Sequence, residues 1–354
     1  AMKLAVLGNG QLGMMLQQAG MRIGVDVQLL DIEEGVLPTQ DVLITAEREH
    51  WPNNPFTEAL TAHNSWLNQA AFFALANRVR QKTMLDELKL PTAPWRAVTE
   101  ATSQSILHDA LGSDIFLKRA TGGYDGRGQM RLKLGHASDF SDWAGDAVAE
   151  QAIPFETEVS IIGARNRDGY CVYYRLTENR HDQGVLSVSL SHPNRFAHIQ
   201  NKAEKMLHTV MNALNYVGVM AMECFLLGDQ LLVNEIAPRV HNSGHWTQSG
   251  ATISQFELHV RAVCDLPMPQ PVQMGHSMMI NLLGVQYDTA WLKHGAAQLH
   301  WYGKEYRPGR KMGHVNFTHA SPLQLAEWLQ AFEMPAAYED ARQWAVLRLQ
   351  SEPV

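Results

Sequence analysis

Two glutamates stand where core residues would be expected. In the stretch Met220 to Trp246 the apolar runs Met220 to Leu227 and Leu231 to Ile236 are separated by Gly228, Asp229 and Gln230, a three-residue signal for a hairpin turn. Symmetric closure of that turn predicts that Phe225 faces Val233 and that Glu223 faces Glu235. Directly opposed residues of an antiparallel pair share one face with Cβ atoms roughly 5 Å apart, where like charges repel. A cation between the two carboxylates would relieve them. Mg²⁺ is usually held by one or two carboxylates together with substrate phosphate oxygens, so the pair points to a nucleoside triphosphate site. The competing arrangement, a register slipped by one residue, would send one glutamate to solvent and turn a strand's apolar set outward.

Other groups could complete such a site. Arg239-Val240-His241-Asn242-Ser243 follows Glu235 closely, either placing cationic and polar donors beside the metal or tying the hairpin down by hydrogen bonds. His241 and His245 have a zinc-like spacing, but Pro238 and Gly244 oppose the helix that spacing needs, and HExxH is absent. Lys118 ends a short apolar strand and precedes the loop Thr121 to Gly128, TGGYDGRG. Glycines let backbone amides approach phosphates and the lysine adds a point charge; the loop is not a Walker motif, and a ligand-free mobile hairpin is the other reading. Lys304, Arg307, Arg310 and Lys311 form the basic cluster KEYRPGRK, which Pro308 and Gly309 would fold into a turn suited to one phosphate or carboxylate.

The loudest motif is GNGQLG at Gly8 to Gly13, between a strand at residues 3–7 and a helix running to about Gly20, with a second strand at Val25 to Leu30 ending at Asp31. This matches a dinucleotide fingerprint, but the glycines report a tight strand-to-helix turn that many doubly wound domains share. The amides at Gly10, Gln11 and Leu12 would hold a substrate phosphate equally well. An NAD-dependent oxidoreductase is therefore carried as a rival reading.

These groups need three domains to position them. A doubly wound, Rossmann-like parallel-sheet domain over 1–94 closes at the proline-rich segment Leu90 to Pro94. A small lobe with the glycine-rich loop covers 95–154, and a larger, mostly antiparallel lobe with a C-terminal subdomain covers 155–354. Strands are expected at Ile115 to Lys118, Gln129 to Leu132, Val148 to Ile153, Glu158 to Gly163, Cys171 to Leu176 and Val185 to Leu190, with His181 and Asp182 in a loop. A helix with Ile199, Ala203, Met206, Leu207 and Val210 on one face leads into the hairpin, and Met278 to Leu283 and His314 to Phe317 read as strands of a smaller terminal lobe.

With 354 residues, 45% of them apolar, the chain is long enough for several cores, and its net charge of −7 argues against a general nucleic-acid or anionic-membrane surface. Three widely spaced cysteines without CxxC suggest reduced core residues, and the absence of a long apolar run suggests a cytoplasmic protein.

Together, the strand-end lysine, the glycine-rich loop, a mid-strand glutamate and the hairpin glutamates in MECF and NEIAPR resemble the ATP-grasp ligases. More closely, GNGQLG, TGGYDGRGQ, GVMAMECF, NEIAPRVHNSGHWT and RPGRKMGH resemble the 5-(carboxyamino)imidazole ribonucleotide synthases of purine biosynthesis, over nearly the whole chain. The resemblance implies an α/β, ATP-grasp fold and ATP contacts from Arg78, Lys118, the loop Gly123, Tyr124, Asp125, Gly126, Arg127, Gly128 and Gln129, and His181. It also implies contacts from Glu150, Gln151, Ala152 and Ile153 near the adenine and from Glu158 at the ribose. EQAI departs mildly from the family there, because a glycine can replace Ala152. Glu223 and Glu235 would bind two Mg²⁺ ions, with Asn234 beside them. Arg239, with His241 and Asn242 close by, would hold bicarbonate and then carboxyphosphate. Tyr124, Arg127 and Lys311 would surround the carboxylation of 5-aminoimidazole ribonucleotide, with Asp125 a candidate proton acceptor. Arg310 and the turn Gly10, Gln11 and Leu12 are candidates for the ribotide phosphate, and a homodimer is implied. A formate-using glycinamide ribotide ligase is the nearer rival, against which RPGRKMGH weighs.

Overall fold

The computed structural model describes residues 2–353. The strand Met2–Leu7 lies at the centre of a three-stranded parallel sheet, between Val25–Leu30 and Leu43–Ala46. Both faces of that sheet are covered, which is why Leu4, Ala5, Val6 and Leu7 are all fully buried instead of alternating. Leu4 and Val6 share a core with Met15, Ile162, Trp246 and Phe256, so the helix Gln11–Arg22 binds the first domain onto the third. Ala5 and Leu7 face Leu60, Trp66 and Phe72 on the other side.

The small lobe is a four-stranded antiparallel sheet in the order Trp95–Ala97, Ala147–Gln151, Asp114–Arg119, Gln129–Lys133. Leu107 and Leu111 of the helix Gln104–Leu111, capped by Ser103, pack on Ile115, Leu117 and Leu132. The glycine-rich loop joins the last two strands of this sheet.

A nine-stranded antiparallel sheet forms the remainder. Its order is Gln230–Ala237, Gly218–Leu227, Thr157–Arg165, Thr177–Asp182, Val185–Ser191, His276–Leu283, Lys311–His319, Gln298–Trp301, with Cys171–Tyr173 added beside Thr157–Arg165. His181 and Asp182 therefore lie on a strand, not in a loop. That strand is polar throughout, so alternation does not reveal it. Its inner residues are paired: Asn179 Nδ2 donates to Ser160 Oγ, Ser189 Oγ donates to Asn179 Oδ1, and Glu178 meets Arg195 and Arg348. His276–Leu283 and Lys311–His319 continue the same sheet instead of building a separate lobe. Only their core is separate, where Leu190, Ile280 and Phe317 lie under the helices Pro322–Ala331 and Glu339–Gln350. No helix among the described residues is long and apolar enough to cross a membrane.

Candidate active site

The hairpin closes differently from the symmetric expectation yet opposes the same glutamates. Gln230 belongs to the strand, so the turn has two residues, Gly228 (φ +58°) and Asp229, and Phe225 faces Leu232 instead of Val233. The register then shifts at Asn234, which is an extra residue on its strand, and Glu223 faces Glu235. Such a bulge sets two residues against one and re-aims side chains, here Asn234 and Glu235 opposite Glu223. Burial works to raise both carboxyls. In Glu223 it is outweighed by His241 and His181, which bring the group down to about 2. Glu235 is raised, by burial first and then by Glu223 and Glu49 against the pull of Arg78. An oxygen-only donor set of two facing carboxylates and an amide suits a hard divalent cation such as Mg²⁺.

Basic groups converge on this pair from the small lobe and its approach helix. Arg78, at the start of the helix Arg78–Glu87, donates to the Arg119 and Gly123 carbonyls and reaches Glu235 Oε1 at 3.2 Å. It thereby pins the glycine-rich loop to the glutamate hairpin. Lys118 Nζ lies 3.1 Å from Asn234 Oδ1 and 2.7 Å from Glu150 Oε2. Glu150 is itself clamped from the other side by Lys82 at 3.0 Å, and although burial opposes ionisation the two lysines bring it down to about 2. Lys82 was not singled out from sequence; its signal is the one-turn spacing from Arg78 on a helix face. Gln151 and Ala152 continue past Glu150, with Gln151 Nε2 donating to the Leu111 carbonyl and the Ala152 amide to the Asp114 carbonyl, and the Ile153 carbonyl accepts from Phe155. Glu158 accepts from His181 Nδ1 at 2.9 Å; burial lowers that imidazole's affinity for a proton, but Glu158 and Glu223 raise it above its ordinary value.

Beyond the hairpin, His241 Nδ1 accepts from the Ser243 amide, leaving Nε2–H to donate to Glu223 Oε1 at 2.7 Å. Arg239 is paired with Glu49 at 2.7 Å. Both amide atoms of Asn242 are buried and, among the described residues, have no partner. An unsatisfied buried amide beside a guanidinium fits a small oxyanion better than an apolar ligand.

The third cluster lies where the first domain meets the sheet. Glu47 accepts from the amides of Gly10, at 2.8 Å, and of Gly13, so the protein's own carboxylate fills half of the glycine turn and leaves the Gln11 and Leu12 amides. A dinucleotide pyrophosphate would meet that carboxylate as a like charge. Lys304 donates to Gln11 Oε1 at 3.2 Å, and burial with the neighbouring Arg310 and Lys311 brings its ammonium down to about 8. Lys311 pairs with Asp125 at 3.1 Å, and the Arg127 guanidinium lies 5.8 Å from the Tyr124 ring. Gly126 approaches Gly184 so closely that a Cβ on Gly184 would lie 2.5 Å from the Gly126 Cα.

A cavity of about 540 Å³ joins the three clusters. It is lined by Gly10, Gln11, Leu12, Arg78, Gly123, Tyr124, Asp125, His181, Glu223, Glu235, Arg239, His241, Asn242 and Lys311. Lys118, Glu150 and Asn234, bonded to one another, adjoin it through the hairpin. Gly126, Arg127, Gly128, Gln129, Gln151, Ala152, Ile153, Glu158 and Arg310 are outside the lining. Glu47 and Glu49 line it without having been expected. Their signal is position, since they follow the strand Leu43–Ala46 at the carboxyl edge of a parallel sheet, where such folds open their crevices.

The fold recurs among known proteins. The ATP-grasp domain model matches residues 83–256, and the phosphoribosylaminoimidazole carboxylase C-terminal domain model matches residues 277–327. An N5-carboxyaminoimidazole ribonucleotide synthase of Escherichia coli K12 is 48% identical over 348 residues, covering 97% of this chain and 98% of the relative. The crystal structure of N5-carboxyaminoimidazole ribonucleotide synthetase from Thermus thermophilus superposes with a TM-score of 0.83 at 34% identity, over 99% of each chain. That of the Aspergillus clavatus enzyme in complex with ADP and 5-aminoimidazole ribonucleotide gives 0.79 at 26% identity, over 94% of this chain and 98% of that one. With two facing hairpin carboxylates, the glycine-rich loop and Lys311 lining one cavity, and with identity this high end to end, the chain belongs to the N5-carboxyaminoimidazole ribonucleotide synthase family of ATP-grasp proteins.

Proposed function

We propose that this protein is an ATP-dependent carbon–nitrogen ligase that carboxylates the exocyclic amine of 5-aminoimidazole ribonucleotide, using bicarbonate and Mg²⁺ and giving ADP and phosphate. The observation that carries the reading is the cavity whose lining brings Glu223 and Glu235 together with Arg239, His241 and Asn242 and with Lys311. The order of these groups supports two consecutive transfers.

In the first, a bicarbonate oxygen held by Arg239 and Asn242 attacks the γ-phosphorus of ATP. The bond to the bridging oxygen breaks, leaving carboxyphosphate and ADP. Such a transfer depends on positioning and charge neutralisation, which Lys118 and Arg78 supply from the protein. Mg²⁺ bound on the Glu223 and Glu235 oxygens would add neutralisation of the phosphate charges. In the second, the amine nitrogen bonds to the carboxyl carbon, phosphate leaves, and the amine proton passes to an acceptor, for which Asp125 is the candidate. Lys304, Lys311 and the free amides at Gln11 and Leu12 face the side where the ribotide phosphate would bind, with Arg310 adjoining.

The test is ADP release with ATP and Mg²⁺, adding bicarbonate and the ribotide separately and together. Stimulation requiring the ribotide is expected; its absence would sink the assignment, and stimulation by formate with glycinamide ribotide would favour the sister ligase. The resemblance also implies a homodimer, which sedimentation at micromolar concentration tests.

A further inference from the structure

We propose that His245 is a neutral hydrogen-bond donor to the carboxyl group as it passes to the acceptor amine, and that Gln255 fixes the imidazole in that form. The inference rests on the proposed function for the identity of the ligand, while the tautomer follows from the protein alone.

Gln255 is fully buried, and its amide orientation is determined by one residue's backbone. Its Oε1 accepts from the His241 amide at 3.0 Å and its Nε2 donates to the His241 carbonyl at 2.7 Å. The remaining N–H then points at His245 Nδ1, 3.1 Å away. Nδ1 must accept, so the ring proton sits on Nε2. His245 lines the cavity, is 2% exposed, and among the described residues its Nε2 has no acceptor. An imidazole N–H of a cavity-lining residue with no acceptor in the protein is available to a ligand oxygen.

The ring is held in place from both faces. It stacks on Phe256 at 5.5 Å and on His314 at 4.5 Å between centroids. His314 is locked in turn, giving Nε2–H to Gln248 Oε1 at 2.6 Å and accepting at Nδ1 from the Tyr302 hydroxyl at 2.6 Å. The groups facing His245 are His241, His300, His314, Lys311 and Arg239; burial first, then these neighbours, hold its imidazole well below its ordinary proton affinity. With Nδ1 occupied by the Gln255 amide and the proton on Nε2, the ring offers a donor and no free acceptor. Amid Arg239 and Lys311, such a donor orients an oxygen without adding charge, which suits a carboxyl whose charge must shift during transfer.

Two substitutions separate this role from packing. His245→Phe keeps the stack and removes the donor, and His245→Gln keeps an N–H near the Nε2 position. The readouts are product formed per ADP released and the pH profile from about pH 6 to about pH 9. With His245→Phe, product per ADP is expected to fall about tenfold or more, while His245→Gln stays within about threefold of the parent and neither variant loses a limb of the pH profile. Unchanged product per ADP in His245→Phe, or a limb lost with the imidazole, overturns the role. Nitrogen-15 histidine spectra of the intact protein test the tautomer without any substrate. Persistent Nε2–H across this range supports it, and an Nδ1–H or doubly protonated ring overturns it. A parent enzyme that shows no ribotide-dependent turnover while its His245 remains Nε2–H would overturn the assigned ligand through the failure of the proposed function.

Discussion

Glu223 faces Glu235 across the hairpin only with Asn234 inserted as an extra residue, so three oxygen-bearing side chains meet where a regular ladder would oppose two. Each is already matched by a donor from a different part of the chain: His241 on Glu223, Arg78 on Glu235 and Lys118 on Asn234. The hairpin oxygens are thus met by donors of the protein itself, and a bound triphosphate would compete for them.

Replacing Glu235 by Gln keeps the shape and removes the charge. Turnover measured as ribotide-dependent ADP release is expected to drop by roughly 10²-fold or more, and the Mg²⁺ concentration for half-maximal rate to rise. The neutral side chain fills the same space and keeps an oxygen for the Arg78 guanidinium, so the variant is expected to fold as the parent does. A parent-like rate would show that this carboxylate holds no metal.

The clamp of Lys82 and Lys118 on Glu150 predicts a pH dependence of stability. Glu150 has its folded value lowered from 4.5 to about 2, so its contribution is complete above about pH 4.5 and is lost as pH falls towards 2. Burial pulls Lys82 below its ordinary range even though Glu150 supports its charge, so part of that contribution is offset by desolvating the ammonium. Relative to the double variant Lys82→Met, Glu150→Gln, the parent should lose up to about 1.4 kcal/mol per pH unit in this window, read from denaturant midpoints. Parallel curves would show that the clamp is solvated.

Glu47 caps the glycine turn by accepting from Gly10 and Gly13. Glu47→Ala leaves both amides without that partner and is expected to cost about 2 kcal/mol in denaturant unfolding. Millimolar inorganic phosphate should recover part of the loss, because the vacated helix N-terminus is an anion site. A cost below about 0.5 kcal/mol would mean water replaces the carboxylate without penalty.

What could be read in the sequence was whatever repeats at short range. The apolar run at residues 3–7, the turn at Gly228 and the pairing of Glu223 with Glu235 follow from local pattern, though that pairing arises through a bulge that no alternation signals. The strand Thr177–Asp182 stayed hidden because it is polar throughout, and its buried half, Thr177, Glu178 and Asn179, is paired with partners from other elements. Lys82, Glu47 and Glu49 were missed for a related reason. Nothing near Lys82 in sequence announces Glu150, and nothing near Glu49 announces Arg239; both pairs exist only after the domains meet. The glycine turn misled in the other direction, since its spacing advertises a phosphate site while Glu47, from another strand end, takes half of it.

Lys311 reaches both oxygens of Asp125, at 3.1 and 3.2 Å, and so ties the glycine-rich loop to the large sheet. Asp125 holds that position with φ at +52°, a conformation that asparagine tolerates as well as aspartate, so Asp125→Asn removes charge without straining the loop. ATP is expected to be held by Lys118, Arg78 and the hairpin, independently of this contact. Lys311→Met should therefore raise the KM for the ribotide and lower kcat, together by about tenfold to 10²-fold in kcat/KM, with the KM for ATP within about threefold of the parent. If the ion pair is what aligns Asp125 for the amine's proton, Asp125→Asn should cost much less in the Lys311→Met background than in the parent. Independent effects that simply multiply would show that the two side chains serve the reaction separately, with Lys311 acting on the ribotide and Asp125 elsewhere.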